Sequence, residues 1–209
     1  TVVNLECVLT TSTARILKVG PHFKAHPWCA KGLREAGIDL INLANNHIKD
    51  FGEAGIEETT RSLRANGIEY FGAGRGLEEA ARPASVQLYG TTVAFIGMAE
   101  SEFSIAGPSS WGANPIDLIQ WCNTLSDLRS KGSPVDHIIV LLHAGNEHFQ
   151  YPNPWLQRLC RFLVDQGASA VICQHSHVAG TYEIYRDGVI VYGQGNFAYG
   201  RDREPHSKE

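Results

Sequence analysis

No apolar stretch in this 209-residue sequence runs beyond five to seven residues. A membrane-crossing helix needs about 20, and no signal-peptide pattern stands at the start. Cys-x-x-Cys pairs are missing too. The five cysteines, Cys7, Cys29, Cys122, Cys160 and Cys173, are odd in number and widely scattered. That argues against a disulfide framework and against a structural zinc site of the thiolate type. Free thiols favour a reducing, cytoplasmic compartment. Basic charge is scarce: 18 Lys and Arg stand against 22 Asp and Glu, for a net charge of −4. A nucleic-acid-binding face would need clustered Lys and Arg. What remains is a chain that is 43% hydrophobic, which suits one globular α/β domain over residues 1–209.

The recurring unit is a helix, a glycine, a short apolar run and a polar cluster. Leu33 to Gly37 leads into Ile38–Ala44 and then Asn45-Asn46-His47. Leu63 to Gly67 leads into Ile68–Phe71 and Gly72-Ala73-Gly74. Leu163 to Gly167 leads into Ala168–Cys173 and Gln174-His175-Ser176-His177. Each glycine suits the left-handed position just past a helix, and Asn153-Pro154 reads as the start of the third helix. Helices alternating with short apolar strands predict βαβ units and a mainly parallel sheet. Further strands are expected at 2–5, 93–97, 137–142 and 189–192. A hairpin is expected where Asp187-Gly188 divides Tyr182–Tyr185 from Val189–Tyr192. The Gly-, Ser- and Pro-rich stretch from Ser101 to Pro115 predicts a long surface loop. Gly72 to Gly76 reads as a tight turn that opens a helix and lacks a dinucleotide fingerprint. The tail 201–209 is polar and expected to fray.

Polar clusters follow the apolar runs at their carboxyl ends, where open α/β sheets bind ligands. They carry Glu6, Asn45, Asn46, His47, His143, Glu147, His175, His177 and Asn196. Imidazole with carboxylate and amide oxygen suits Zn, Fe or Mn. His175 and His177 are two apart, so in extended backbone both rings face one side and can serve one metal or two. Singly, each residue has a plainer reading: Asn45-Asn46 as a cap, His143 as a core histidine, Glu6 as a solvated strand end. Their conjunction favours a metal centre. No role falls to His22, His26, His137, His148 or His206.

These clusters resemble a known family. Asn4-Leu5-Glu6, Ala44 to Gly52, Gly72-Ala73-Gly74, His143 to Glu147, His175-Ser176-His177 and Gly195-Asn196-Phe197 are similar, in the same order, to the bacterial capsule-synthesis protein CapA family, linked to poly-γ-glutamate synthesis. That family looks like a branch of the calcineurin-like metallophosphatases. The resemblance implies an α/β sandwich around two divalent metal ions. By motif, Glu6 falls on a bridging carboxylate, Asn46, His143 and His175 on ligands of one metal, and His177 on a ligand of the other. His47 falls on the histidine that touches substrate. Asn45, Glu147 and Asn196 fall on supporting or substrate-contacting positions. The family opens with a strand ending in Gly-Asp, which is expected ahead of Thr1, and members continue beyond Gly-Asn-Phe. The chain therefore reads as truncated at the N-terminus and incomplete at both ends. Cys173-Gln174 replaces the family's usual Gly-His and would place a thiol near the metals.

The resemblance implies a metal-dependent hydrolase acting on a phosphoester or a glutamate polymer. The alternative is a non-catalytic accessory protein in a polymer synthesis or export complex. Capsule-linked members are often anchored at the outer membrane face, an alternative to the cytoplasm.

Overall fold

The computed structural model describes residues 1–100, 102–130, 132 and 135–198. The expected fraying of 201–209 lies outside them. The elements in chain order are β1 (Val2–Asn4), β2 (Val8–Leu9), β3 (Lys24–Ala25), α1 (Cys29–Glu35), β4 (Leu40–Asn42), α2 (Gly52–Ala65), β5 (Glu69–Phe71), β6 (Ala73–Arg75) and α3 (Leu77–Ala80). There follow β7 (Ala84–Leu88), β8 (Thr91–Ala99), β9 (Trp111–Ala113), α4 (Leu118–Leu128), β10 (His137–His143), α5 (Pro154–Asp165), β11 (Ala170–Gln174), β12 (Tyr182–Tyr185) and β13 (Gly188–Val191).

Two sheets make the centre. One has three parallel strands in the order β1-β4-β5. The other has six, β12-β13-β11-β10-β8-β7, parallel except for its two edge pairs. The period-two alternation of side chains sorts the layers. Along β8, Ala94, Ile96 and Met98 pack with α4 and α5, while Val93 and Phe95 face the smaller sheet. Along β10, Ile138, Val140 and Leu142 meet the helices and Leu141 meets the smaller sheet. On the far side, Ile41 of β4 packs with Ile56 and Leu63 of α2. The result is an α/β sandwich with helices outside both sheets. Helix α5 earns its place by its spacing: Leu156, Leu159, Cys160, Leu163 and Val164 form one buried stripe. Its Asn153 cap accepts from the Leu156 N–H at 2.8 Å.

Gly37, Gly67 and Gly167 follow α1, α2 and α5 with φ of 78°, 68° and 110°, the left-handed stop expected of them. Ser101–Pro115 is not the surface loop its composition suggests. Among its described residues, Ser104, Ala106 and Ala113 are buried, and β9 pairs antiparallel with β6. The Gly72–Gly76 stretch is thus a strand, β6, as well as a turn. Glycine makes the packing possible: a Cβ on Gly112 would lie 2.3 Å from the Ala106 nitrogen.

All five cysteines are free. No described helix is long and apolar enough to cross a membrane.

Candidate metal centre

The parallel strands of both sheets deliver their carboxyl ends to one crevice. Glu6 follows β1, Asn45, Asn46 and His47 follow β4, His143 ends β10, His175 and His177 follow β11, and Asn196 follows β13. His143 continues the Leu141 face of β10, so strand parity turns its ring between the sheets. Below it Asn42 is fully buried and ties them together. Its side-chain amide donates to Asn4 at 3.4 Å and to Gln174 at 3.3 Å.

Glu6 Oε1 lies 3.5 Å from His143 Nε2 and 3.7 Å from His177 Nε2. That oxygen is buried with no hydrogen-bond partner, as is His143 Nδ1. His143 Nε2 also lies 3.1 Å from Asn46 Oδ1 and 3.2 Å from His175 Nδ1. His175 Nε2 faces Glu147 Oε1 at 4.0 Å, and His177 Nδ1 faces Asn196 Oδ1 at 3.0 Å. Two groups, Glu6-His143-His175 and Glu147-His175-His177, each bring their donor atoms within 4.8 Å of one another. Asn45 faces away: it donates to Leu5 O at 2.9 Å and accepts from the His47 N–H at 3.1 Å.

The two histidines of His-x-His do not share a face by extended alternation, as their spacing suggested. They lie beyond β11 with φ of 97° and 57°. Left-handed backbone is costly for a residue with a Cβ and marks functional sites. Cys173 does not bring a thiol to the crevice either. It shares the helix-facing side of β11 with Val171, and its sulfur lies 3.4 Å from that of Cys160. Next to Glu6, burial aided by Cys29 and Glu6 itself pushes the Cys7 thiol up to about 12, so no thiolate competes there.

Burial holds His143 well below the ordinary histidine range, with His175, His47 and His177 adding to the effect. Burial also lowers His175, against the pull of Glu147. Burial raises Glu6, opposed by His177 and His47 and reinforced by Glu147. Neutral imidazoles beside a carboxylate short of counter-charge are the donor set of a borderline divalent cation.

Asn46, His47, His175 and His177 line a cleft of about 580 Å³ whose walls include Lys18, Phe23, Glu102 and Glu147. Besides Phe23 and Glu102, the sequence reading gave no role to three residues at this site. His148 also lines the cleft, its ring 6.0 Å from that of His177. Asp50 is fully buried and accepts from His47 Nδ1 at 2.8 Å. Burial pushes its pKa up, but hydrogen bonds from His47, Lys18 and the Phe23 N–H outweigh that and hold it low. Lys18 is the third, paired with Asp50. The His-x-x-Asp spacing of His47 and Asp50 was the available signal, since a tight turn brings such positions together. Lys18 gave none, because its contacts are remote in sequence.

Residues 1–201 match the family model for the bacterial capsule synthesis protein PGA_cap. The chain belongs to that family. It is 30% identical over 185 residues to the capsule biosynthesis protein CapA of Bacillus anthracis, covering 85% of this chain and 44% of that one. It is 28% identical over 181 residues to the PGA biosynthesis protein CapA of Bacillus subtilis (strain 168), covering 85% and 47%. The chain thus spans just under half the length of these curated PGA_cap relatives. Among solved structures it is similar to the NAD nucleotidase NadN of Haemophilus influenzae, with a TM-score of 0.52 at 14% identity, over 81% of this chain and 33% of that one. That likeness shows the fold, and the PGA_cap chain is a metallophosphatase-like sandwich.

Proposed function

We propose that the cleft is a dinuclear metal centre that hydrolyses an ester or amide bond in an anionic substrate, a phosphoester or a glutamate polymer. The observation that carries this reading is Glu6 Oε1, buried without a hydrogen-bond partner between His143 Nε2 and His177 Nε2. Glu6, Asn46, His143 and His175 would hold one ion, and His177 and Glu147 the other, with Glu6 shared between them. Zn, Fe or Mn suits these donors. Such ions supply Lewis acidity and an acidified water when bound.

The rest falls to the chain. His177 is oriented by Asn196 at 3.0 Å, a hydrogen bond that fixes the ring's tautomer. His47 uses Nδ1 to hold the Asp50 carboxylate, which leaves Nε2 to pass a proton to the leaving oxygen. The Phe23 ring, with its centroid 4.3 Å from that of His47, holds the imidazole in place and keeps water from one side. Charge supports the reading too. Glu102 and Glu147 line the cleft, and Asp50 occupies Lys18, its one lining Lys or Arg among the described residues. Such a cleft repels anions until cations fill it.

The test is elemental analysis with turnover. Wild type should bind about two ions per chain, and Glu6→Ala, His143→Ala and His177→Ala should each lose metal. The wild type should also cleave p-nitrophenyl phosphate or a γ-glutamyl oligomer in added Mn. Equal metal in all four proteins contradicts the centre. Metal without turnover of either substrate favours the accessory role in polymer synthesis. Five free cysteines suit a reducing compartment.

A further inference from the structure

The segment 16–23 buries the wrong residue by ordinary rules. Leu17 and Val19 are 101% and 87% exposed, while the Lys18 side chain between them is 3% exposed. Lysine is almost never buried unless paired, and apolar neighbours normally take the inside positions. The chain has given up two apolar contacts to direct one ammonium inward.

It directs it at Asp50. Lys18 pairs with Asp50 Oδ1, and the Asp50 side chain has no exposure. The other carboxylate oxygen accepts from His47 Nδ1 at 2.8 Å and from the Phe23 N–H at 2.7 Å. The Ile16 N–H reaches the Asp50 carbonyl at 3.1 Å. One residue therefore gathers both ends of the segment and the histidine. Lys18 Nζ also lies 3.2 Å from His47 Nδ1. An ammonium can only donate. Nδ1 can hydrogen-bond to an ionised carboxylate only by donating to it, so that nitrogen must carry the proton. The second ring nitrogen, Nε2, is left to exchange a proton with the cleft.

We infer that Lys18 is a positioning residue: it holds the Asp50 carboxylate so that His47 keeps its proton on Nδ1 and offers Nε2 to the cleft. Lys18 acts through Asp50 and does not bind substrate. This rests on His47 being the proton carrier of the proposed reaction. The state of the ring can be read without any reaction.

Two measurements test it on the metal-loaded protein, with zinc for spectroscopy and manganese for rates. Nitrogen-15 NMR of the His47 ring reports which nitrogen bears the proton. Wild type should carry a proton on Nδ1; a wild-type ring protonated on Nε2 and not on Nδ1 overturns the inference without any variant. Lys18→Met should lose the single Nδ1–H signature while keeping its metal. Lys18→Arg should restore it. Lys24→Met removes the bond from Lys24 to Ser12 O just beyond the segment and should leave the ring unchanged, which controls for loosening of the segment.

With p-nitrophenyl phosphate, Lys18→Met should lower kcat by about tenfold or more, the usual cost of a displaced catalytic group, with KM unchanged. A raised KM at constant kcat overturns the inference and makes Lys18 a substrate-binding cation. Should Lys18→Met not fold, Lys18→Gln, which is one atom shorter, uncharged and keeps a donor, replaces it. If wild type turns over no substrate, the proposed reaction fails, and the NMR result still decides the role of Lys18.

Discussion

Asp50 concentrates more structure than its place in a surface-like Asn-Asn-His-Ile-Lys-Asp string suggests. With Lys18 3% exposed and Asp50 fully buried, removing either charge strands the other. Asp50→Asn should therefore cost about 3–5 kcal/mol at neutral pH, as broken buried pairs do. The pH dependence has a definite sign. The folded carboxyl is held below its ordinary value, so the unfolded chain takes up the proton first as pH falls. Asp50's contribution is complete above the ordinary carboxylate range and is lost below about pH 4, through its lower folded value. Urea denaturation of metal-free wild type and Asp50→Asn should show a gap that closes in acid. A gap of constant size from pH 7 to pH 3 contradicts it. His47→Ala leaves every proposed metal donor in place. It should keep its metal and lower turnover by about a hundredfold or more, the range of a general acid. A stable, metal-loaded His47→Ala with unchanged turnover removes His47 from the chemistry.

At the scale of elements, most of the scaffold was legible because it follows from local periodicity. The stripe of α5, the glycines after three helices, the β12–β13 hairpin and the apolar runs of β4, β8, β10 and β11 all carry their signals within a short window. The misses have physical causes. Two-residue strands such as Val8–Leu9 and Lys24–Ala25 are too short for alternation to show. Strand β9 hides in a Gly-Ser-Pro stretch because its partner, β6, lies far back in sequence. At the candidate site the residue types and strand ends were readable, since polar clusters interrupt apolar runs. The left-handed turns at His175 and His177 were not, because nothing in a His-Ser-His string announces positive φ. Gly97 shows the same limit. Its reason is Asn42 in the opposite sheet: a Cβ on Gly97 would stand 2.1 Å from Asn42 Oδ1. Gly97→Ala should cost about 1–3 kcal/mol as overpacking. Adding Asn42→Ala should recover part of that, a coupling readable in a double-mutant cycle by urea denaturation. Full stability in Gly97→Ala contradicts direct packing of Asn42 on that glycine.

At the scale of the whole molecule, two sheets of unequal size pack so that their parallel strands end together. Glu6 and Asn46 come from the smaller sheet and His143, His175 and His177 from the larger. No single βαβ unit holds the set, so these side chains come together only when the sandwich is closed. Cations bound there would in turn stabilise the folded state, because the unfolded chain cannot present these donors together. The most direct measurement is anomalous diffraction from crystals of the protein grown with manganese. Two peaks should flank Glu6 Oε1, one beside His143 and His175 and the other beside His177 and Glu147. Manganese elsewhere with none in that cleft would contradict the dinuclear centre.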